Sequence, residues 1–328
     1  MKLDPKNIDA GFLEIARHLG EPINPKLPAA FELDLIADIL PPAKPGEKIW
    51  KFSAFRSAND ICLQVDAAGA LTQVKRTPTG DAEMTFIGLD SKEEYVLLDD
   101  ILAEEDNVGV LADRKASITR SMDKRELSTV LNAILSKTAG YLPGVDPEEV
   151  TVASGADLYK KILEMKHKAE DYGDKYVLLC GTTLYEAIDD YEIDKAGSHN
   201  YNVTGGDLLK RLRRKGIEPV KVFGNVELTD GGGETAVMPA TKAVLVAQNS
   251  RIAEGKPIKV VRRMITPEIA RLMGGEGVDN RQRMLWTKGI VNKAGVTTLG
   301  YSVFGYESII FTIVNPKAVV FADFDAIV

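Results

Sequence analysis

Cysteine and histidine are scarce in this sequence. Cys62 and Cys180 are its only cysteines, far apart, and His18, His167 and His199 are equally scattered. This excludes a disulfide framework and any zinc site read from paired-cysteine spacing. The opening MKLDPKNIDAGFLE lacks the apolar core of roughly 7–15 residues that marks a signal peptide. No run approaches the roughly 18 apolar residues of a membrane span, so a cytosolic origin without a membrane partner is expected. Catalytic signatures are missing too: there is no G-x-x-x-x-G-K-S/T, H-E-x-x-H, G-x-S-x-G or calcium loop. Cations are in deficit, 41 Lys and Arg against 48 Asp and Glu, and the net charge of −7 disfavours broad binding to nucleic acid or anionic membrane. What is present is ordinary globular composition, 45% hydrophobic and 27% charged over 328 residues, enough for more than one compact unit.

Proline sets the first segment apart. Pro5, Pro22, Pro25, Pro28, Pro41, Pro42 and Pro45 are seven of the fifteen in the chain, so residues 1–47 hold no long element. Two short amphipathic helices fit between them, one on Ile8, Phe12, Ile15 and Leu19, the other on Phe31, Leu35 and Ile39. Short helices are marginal alone, so the segment reads as an arm whose apolar faces need a surface elsewhere. Residues 48–98 turn to strand period: Ile61, Leu63 and Val65 alternate with polar residues, and EMTFIGLD (83–90) follows the turn-rich TPTGDAE. Together they predict a long two-stranded ribbon, unstable in water unless something packs on it.

From about 99 to 138 the pattern is helical, with Leu111, Ile118 and Met122, then Leu127, Leu131 and Ile134, on the apolar face. Acids crowd its front, as the helix dipole favours. Asn107 and Gly109 are expected to divide a short helix from one of about thirty residues, a spine. Residues 151–255 read as an α/β unit. Leu158, Ile162, Met165, Ala169 and Tyr172 keep helical spacing up to a stop at Gly173. YVLLC (176–180) is a buried strand, Thr183 and Glu186 suggest a capping box, and GGDLLKRLRRKG is a short helix. Residues 256–328 return to strands: PIKVVRRMI, MLWTKGIV, TTLGYSVFG and the closing YESIIFTIVNPKAVVFADF (306–324), broken at Asn315-Pro316. So apolar a C-terminal stretch is expected to be tied down, in a sheet or against another copy.

The search for chemistry returns little. GGEGVD (274–279) is a poor relative of a dinucleotide loop. The strand leading through Gly181-Thr182-Thr183 into a helix is the best enzyme-like feature, because helix N-termini attract anions; its plain reading is a well-capped helix. KRLRRK (210–215) is the one dense basic cluster, read as Leu208, Leu209 and Leu212 facing a core with the bases outward. His167 reads as solvated and Cys180 as a small buried hydrophobe. No catalytic residue, cofactor or metal is expected.

The order of parts resembles the major capsid proteins of tailed bacteriophages, with the Hong Kong 97-type fold. Two stretches carry the resemblance: TQVKRTPTGDAEMTFIGLDSKEEYVLLDDILAEEDN (72–107) leading into its helix, and the ending at 306–324. It implies an α+β fold with an N-terminal arm (1–47), an extended β-ribbon loop and lead-in (48–98), a peripheral domain with the spine helix (99–150), an axial domain (151–255) and returning peripheral strands (256–328). Arm and ribbon would lie over neighbouring copies, with subunit contacts at Phe12, Ile15, Lys75, Arg76, Glu93, Glu94, Arg114 and Lys115. The implied function is self-assembly as hexamers and pentamers into an icosahedral virion shell enclosing double-stranded DNA, formed in the host cytoplasm. The implied partners are other copies, a separate scaffolding protein, a portal, an optional decoration protein and DNA contacted non-specifically. Some relatives cross-link a ribbon lysine to an asparagine aided by a glutamate. Lys75 or Lys92 and Glu307 fit two of those roles, but Asn292 is the nearest upstream asparagine, so cross-linking is not expected here. The alternatives are an encapsulin-like compartment shell, and an α/β enzyme built on Gly181–Thr183.

Overall fold

The computed structural model describes residues 33–44, 47, 49–54, 64–65, 71–73, 80–91, 94–97, 107–137, 146–191, 207–227, 233–248, 255–272, 275–278, 284–293 and 296–328. In the first part of the chain the strands are β1 (Ala37–Ile39), β2 (Ile49–Ala54), β3 (Gln64–Val65), β4 (Leu71–Gln73), β5 (Gly80–Thr85), β6 (Ile87–Asp90) and β7 (Glu94–Leu97). Helix α1 (Asn107–Leu135) follows, then β8 (Glu148–Val150), α2 (Leu158–Ala169), β9 (Lys175–Cys180), α3 (Thr182–Asp189) and α4 (Asp207–Arg214). Next come β10 (Ile217–Lys221), β11 (Asn225–Val226), β12 (Thr235–Ala236), β13 (Lys242–Gln248) and β14 (Ile258–Arg262). The chain ends through α5 (Pro267–Leu272), β15 (Gly275–Val278), β16 (Met284–Lys293), β17 (Val296–Ile313) and β18 (Val319–Asp323).

Rich in β-branched and aromatic residues, β17 runs unbroken for 18 residues, about 60 Å. The two strands expected from TTLGYSVFG and YESIIFTIV are therefore one. Along one edge it pairs with β16 and then β14; along the other it takes β7 and then β6, all antiparallel. With β1 and β15 outside, this makes a seven-stranded sheet. A second sheet of five strands has the order β10-β9-β13-β18-β8. The turn Pro316–Ala318 carries the chain from one sheet to the other, since proline cannot donate to a ladder. The apolar ending is thereby tied down: β18 is paired on both edges, with β13 and with β8.

Strand alternation in β9, β13 and β18 divides the interior into two cores. Leu178, Cys180, Leu245, Ala247 and Val320 point to one face and meet Leu158, Ile162 and Met165 of α2, Leu184 and Ile188 of α3, and Leu208 and Leu212 of α4. Val177, Leu179, Val244, Val246 and Phe321 point the other way, onto Leu127, Val130, Leu131 and Ile134 of α1 and onto Ile258, Val260, Ile309 and Phe311 of the long sheet. The spine helix thus fills the angle between the sheets. Its earlier half rests on β17, where Ile118 and Met122 meet Val303.

Several local expectations are corrected. The helix on Phe31, Leu35 and Ile39 is a single turn, Leu33–Leu35, followed by β1; parallel pairing with β14 supplies more bonds than so short a helix. The first turn of α1 holds no acid, the front acids lying before Asn107, and Asn107 and Gly109 begin the helix. Its partner helix before 107, and the helix on Ile8 to Leu19, lie outside the described residues. The N-cap of α3 is Gly181 with no side-chain cap bond, so Thr183 and Glu186 form no capping box. Gly173 ends its turn in extended conformation (φ −172), and its need is space: a Cβ there would stand 2.7 Å from the Gln248 carbonyl oxygen. In the ribbon, β5 pairs with β2 from Ile49↔Thr85 to Ala54↔Gly80, while Val65 belongs to the short β3–β4 pair nested inside that span. The run EMTFIGLD breaks at Phe86, where the chain changes partner from β2 to β17.

Candidate assembly surface

The expected contact residues divide by position. Phe12, Ile15, Lys75, Arg76 and Glu93 lie outside the described residues. Glu94 opens β7 opposite Val303. Arg114 and Lys115 follow one another on α1 but, at about 100° per residue, face different ways. Arg114 is exposed and Lys115 is only 4% exposed, inside the fold.

Lys115 belongs to an inward polar set that sequence reasoning missed. Glu126 is 1% exposed, and its Oε1 accepts from Arg262 Nε at 3.1 Å and Nη2 at 2.7 Å, with Oε2 accepting from Nη2 at 3.0 Å. This forked pair bolts the middle of α1 to β14. A signal existed: Glu126 continues the apolar series Ile118, Met122 at i+4 spacing. Arg125, one residue earlier, reaches the Asp90 carbonyl of β6. Where the helix ends, Lys137 adopts a left-handed φ of 57°, rare for a side chain with a Cβ. Its ammonium bonds Glu149 of β8 at 2.9 Å and lies 5.7 Å from the Phe321 ring. Lys168 and Lys317 close on Glu148 at 3.5 and 3.6 Å, so β8 is tied to three elements through its acids. Between the end of α1 and the turn before β13 is an open groove of about 450 Å³, lined by Asn132, Ala133, Leu135, Ser136, Pro239 and Lys242.

The enzyme-like features are closed. A Cβ on Gly181 would run into the carbonyls of Pro239 and Ala240, and the Leu184 N–H already donates to the Ala240 oxygen at 3.1 Å. Carbonyls therefore stand where an anion would bind. Cys180 is wholly buried, and burial pushes its thiol far above the usual range, so it is no nucleophile. GGEGVD is not a loop entering a helix; Gly275–Val278 is β15, an edge strand on β16. His167 is exposed and hydrogen-bonds Glu170 at 2.9 Å; that bond, with Lys166 beside it, lowers the Glu170 pKa. No group of metal-ligating side chains occurs among the described residues.

The surface offers apolar and basic features instead. Ile39, Ile87 and Met264 of the long sheet's surroundings are 36%, 44% and 40% exposed, and Leu272, ending α5, is 86% exposed. On α4, Leu208 and Leu212 are fully buried while Lys210, Arg211, Arg213 and Arg214, and Lys215 just after the helix, are exposed, as expected for KRLRRK.

No protein-family model and no curated protein matches the chain. Among solved structures, a phage-related protein from Bordetella bronchiseptica aligns with TM-score 0.55 at 11% identity, over 96% of this chain and 98% of its own. The capsid of the empty GTA particle aligns with TM-score 0.54 at 12% identity, over 93% of each chain. The capsid of the native particle gives the same score and coverage at 10% identity. At such identity the likeness is one of fold: a mixed α+β architecture similar to Hong Kong 97-type capsid proteins.

Proposed function

We propose that the chain is a tailed-bacteriophage major capsid protein that assembles as hexamers and pentamers into an icosahedral shell around double-stranded DNA. The observation that carries this reading is the fold shared over 93% of both chains with the GTA particle capsid. Two physical features support it. The β2–β5 ribbon stands outside both large sheets, and an isolated pair of short strands needs a partner to be stable. Large apolar side chains such as Leu272 stay exposed in the single chain, and symmetric repetition can bury many such modest contacts. In this reading α1 and the seven-stranded sheet form the peripheral domain, and the five-stranded sheet with α2, α3 and α4 forms the axial domain. Contacts between copies fall on Phe12 and Ile15 of the arm, Lys75, Arg76, Glu93 and Glu94 of the ribbon and lead-in, and Arg114 of the spine; Lys115 supports the helix from inside. A scaffolding protein, a portal and an optional decoration protein complete the partners, and assembly in the host cytoplasm leads to the virion. The chain works by assembly, not catalysis, a reading supported by the obstructed α3 terminus and the inert Cys180.

The test is electron microscopy of the purified full-length protein after size exclusion, with ultraviolet absorbance to detect nucleic acid. Closed angular shells, or free hexamers and pentamers, are expected. A stable monomer or dimer under every condition would sink the proposal, and shells filled with a cargo enzyme in place of DNA would redirect it to a protein compartment.

A further inference from the structure

We infer that the outer face of α4 is the surface through which this chain meets duplex DNA, by phosphate contact without sequence reading. The helix and the residue that follows it carry five cations in the six residues Lys210–Lys215, on a chain whose net charge is −7. Its orientation is fixed from below. Leu208 and Leu212 are 0% exposed in the core beneath the five-stranded sheet, and at about 100° per residue Lys210 and Arg214 then project opposite to them, flanked by Arg211 and Arg213.

The partners of these side chains favour phosphate over a neighbouring protein. Arg213 Nε bonds Glu218 at 3.1 Å. The Arg211 guanidinium lies 5.5 Å from the Tyr159 ring centre, which orders it without neutralising it. Arg214 and Lys215 have no carboxylate partner among the described residues. Among the described residues, no large apolar side chain of this face is exposed to anchor a protein interface, whose centres are depleted of charge. The negative remainder of the surface would repel DNA, so contact would be confined to this patch.

The inference rests on the shell reading only for the source of the DNA, and its test separates the two. Binding of a mixed-sequence DNA duplex to the full-length, unassembled protein is followed by fluorescence anisotropy across a salt series. The variant is Arg211→Gln/Arg214→Gln/Lys215→Gln, and a charge-matched control is Lys44→Gln/Arg120→Gln/Lys317→Gln. Circular dichroism checks folding and microscopy checks assembly. The α4 variant is expected to bind about tenfold or more weakly at low salt, with the slope of log K against log salt reduced by up to about 2.7, three contacts' worth. The control should bind like the parent. Equal loss in the control, an unchanged α4 variant, or no binding by the parent would overturn the inference. So would lost assembly with intact DNA binding, which would mark α4 as a contact between copies. A parent that stays a monomer or dimer under every condition yet shows the α4-dependent loss would overturn the shell reading and leave this one standing. An α4 triple variant that does not fold is replaced by Arg214→Gln/Lys215→Gln, for which a slope reduction of up to about 1.8 is the expected result and none the overturning one.

Discussion

Glu126 and Arg262 illustrate how a single pair can cost or contribute according to its company. Both are almost fully buried, 1% and 7% exposed at the side chain. Removing one partner strands a charge in the core, so Glu126→Ala is expected to destabilise by about 3–5 kcal/mol. Replacing both, as Glu126→Leu/Arg262→Met, should cost far less, because desolvation is removed along with attraction. Denaturant midpoints of the two variants check this; equal losses would contradict it. Cys180 supplies a second test. Burial holds its thiol protonated, so in a Cys62→Ser background it should resist alkylation at neutral pH and react only once the fold opens. Rapid labelling of the native protein would show that β9 is more accessible than the packing of Leu178 and Leu245 around it implies.

Elements here are held by the faces they bury. On α1, Leu131 is 0% exposed between the two sheets, whereas Arg120 is exposed. Leu131→Ala should cost about 2–5 kcal/mol, the transfer and cavity cost of a deleted core side chain. Arg120→Ala should stay within about 0.5 kcal/mol. Chemical denaturation distinguishes them, and similar values would mean that the helix is not seated as described. The junction of β9 and α3 depends on Gly181, whose φ of −62 any residue could adopt. What it provides is clearance for the carbonyls of Pro239 and Ala240. Gly181→Ala is therefore expected to lower stability by about 1–3 kcal/mol through overpacking, measured as a fall in thermal midpoint. An unchanged midpoint would show that the 239–240 turn yields freely.

At the scale of the whole molecule, one core joins the two sheets through α1. They should therefore unfold together. In a Trp50→Phe/Cys62→Ser protein, Trp286 of β16 reports on the long sheet and Cys180 on the five-stranded sheet. Their transitions in denaturant are expected to coincide, the signature of a single cooperative unit; separated midpoints would show two independent bodies.

Periodicity alone determined the elements with strong internal pattern. Helical spacing from Leu158 to Ala169 and from Ile118 to Ile134, the buried run at 176–180 and the break at Asn315-Pro316 were all legible, because side-chain period follows from backbone geometry. The outward bases of α4 and the burial of Cys180 were legible for the same reason. Tertiary structure decided what local pattern cannot encode. Residues 37–39 became a strand because β14 was there to pair with them. The same holds for β5, whose partner is β2 and not the alternating stretch nearer in sequence. Lys115 and Arg114 parted company because a packed helix has an inside and an outside. The anion site suggested by Gly181–Thr183 was closed by carbonyls arriving from residues 239 and 240. Pairing partners and close approaches join residues far apart in the chain, and only the assembled core brings them together.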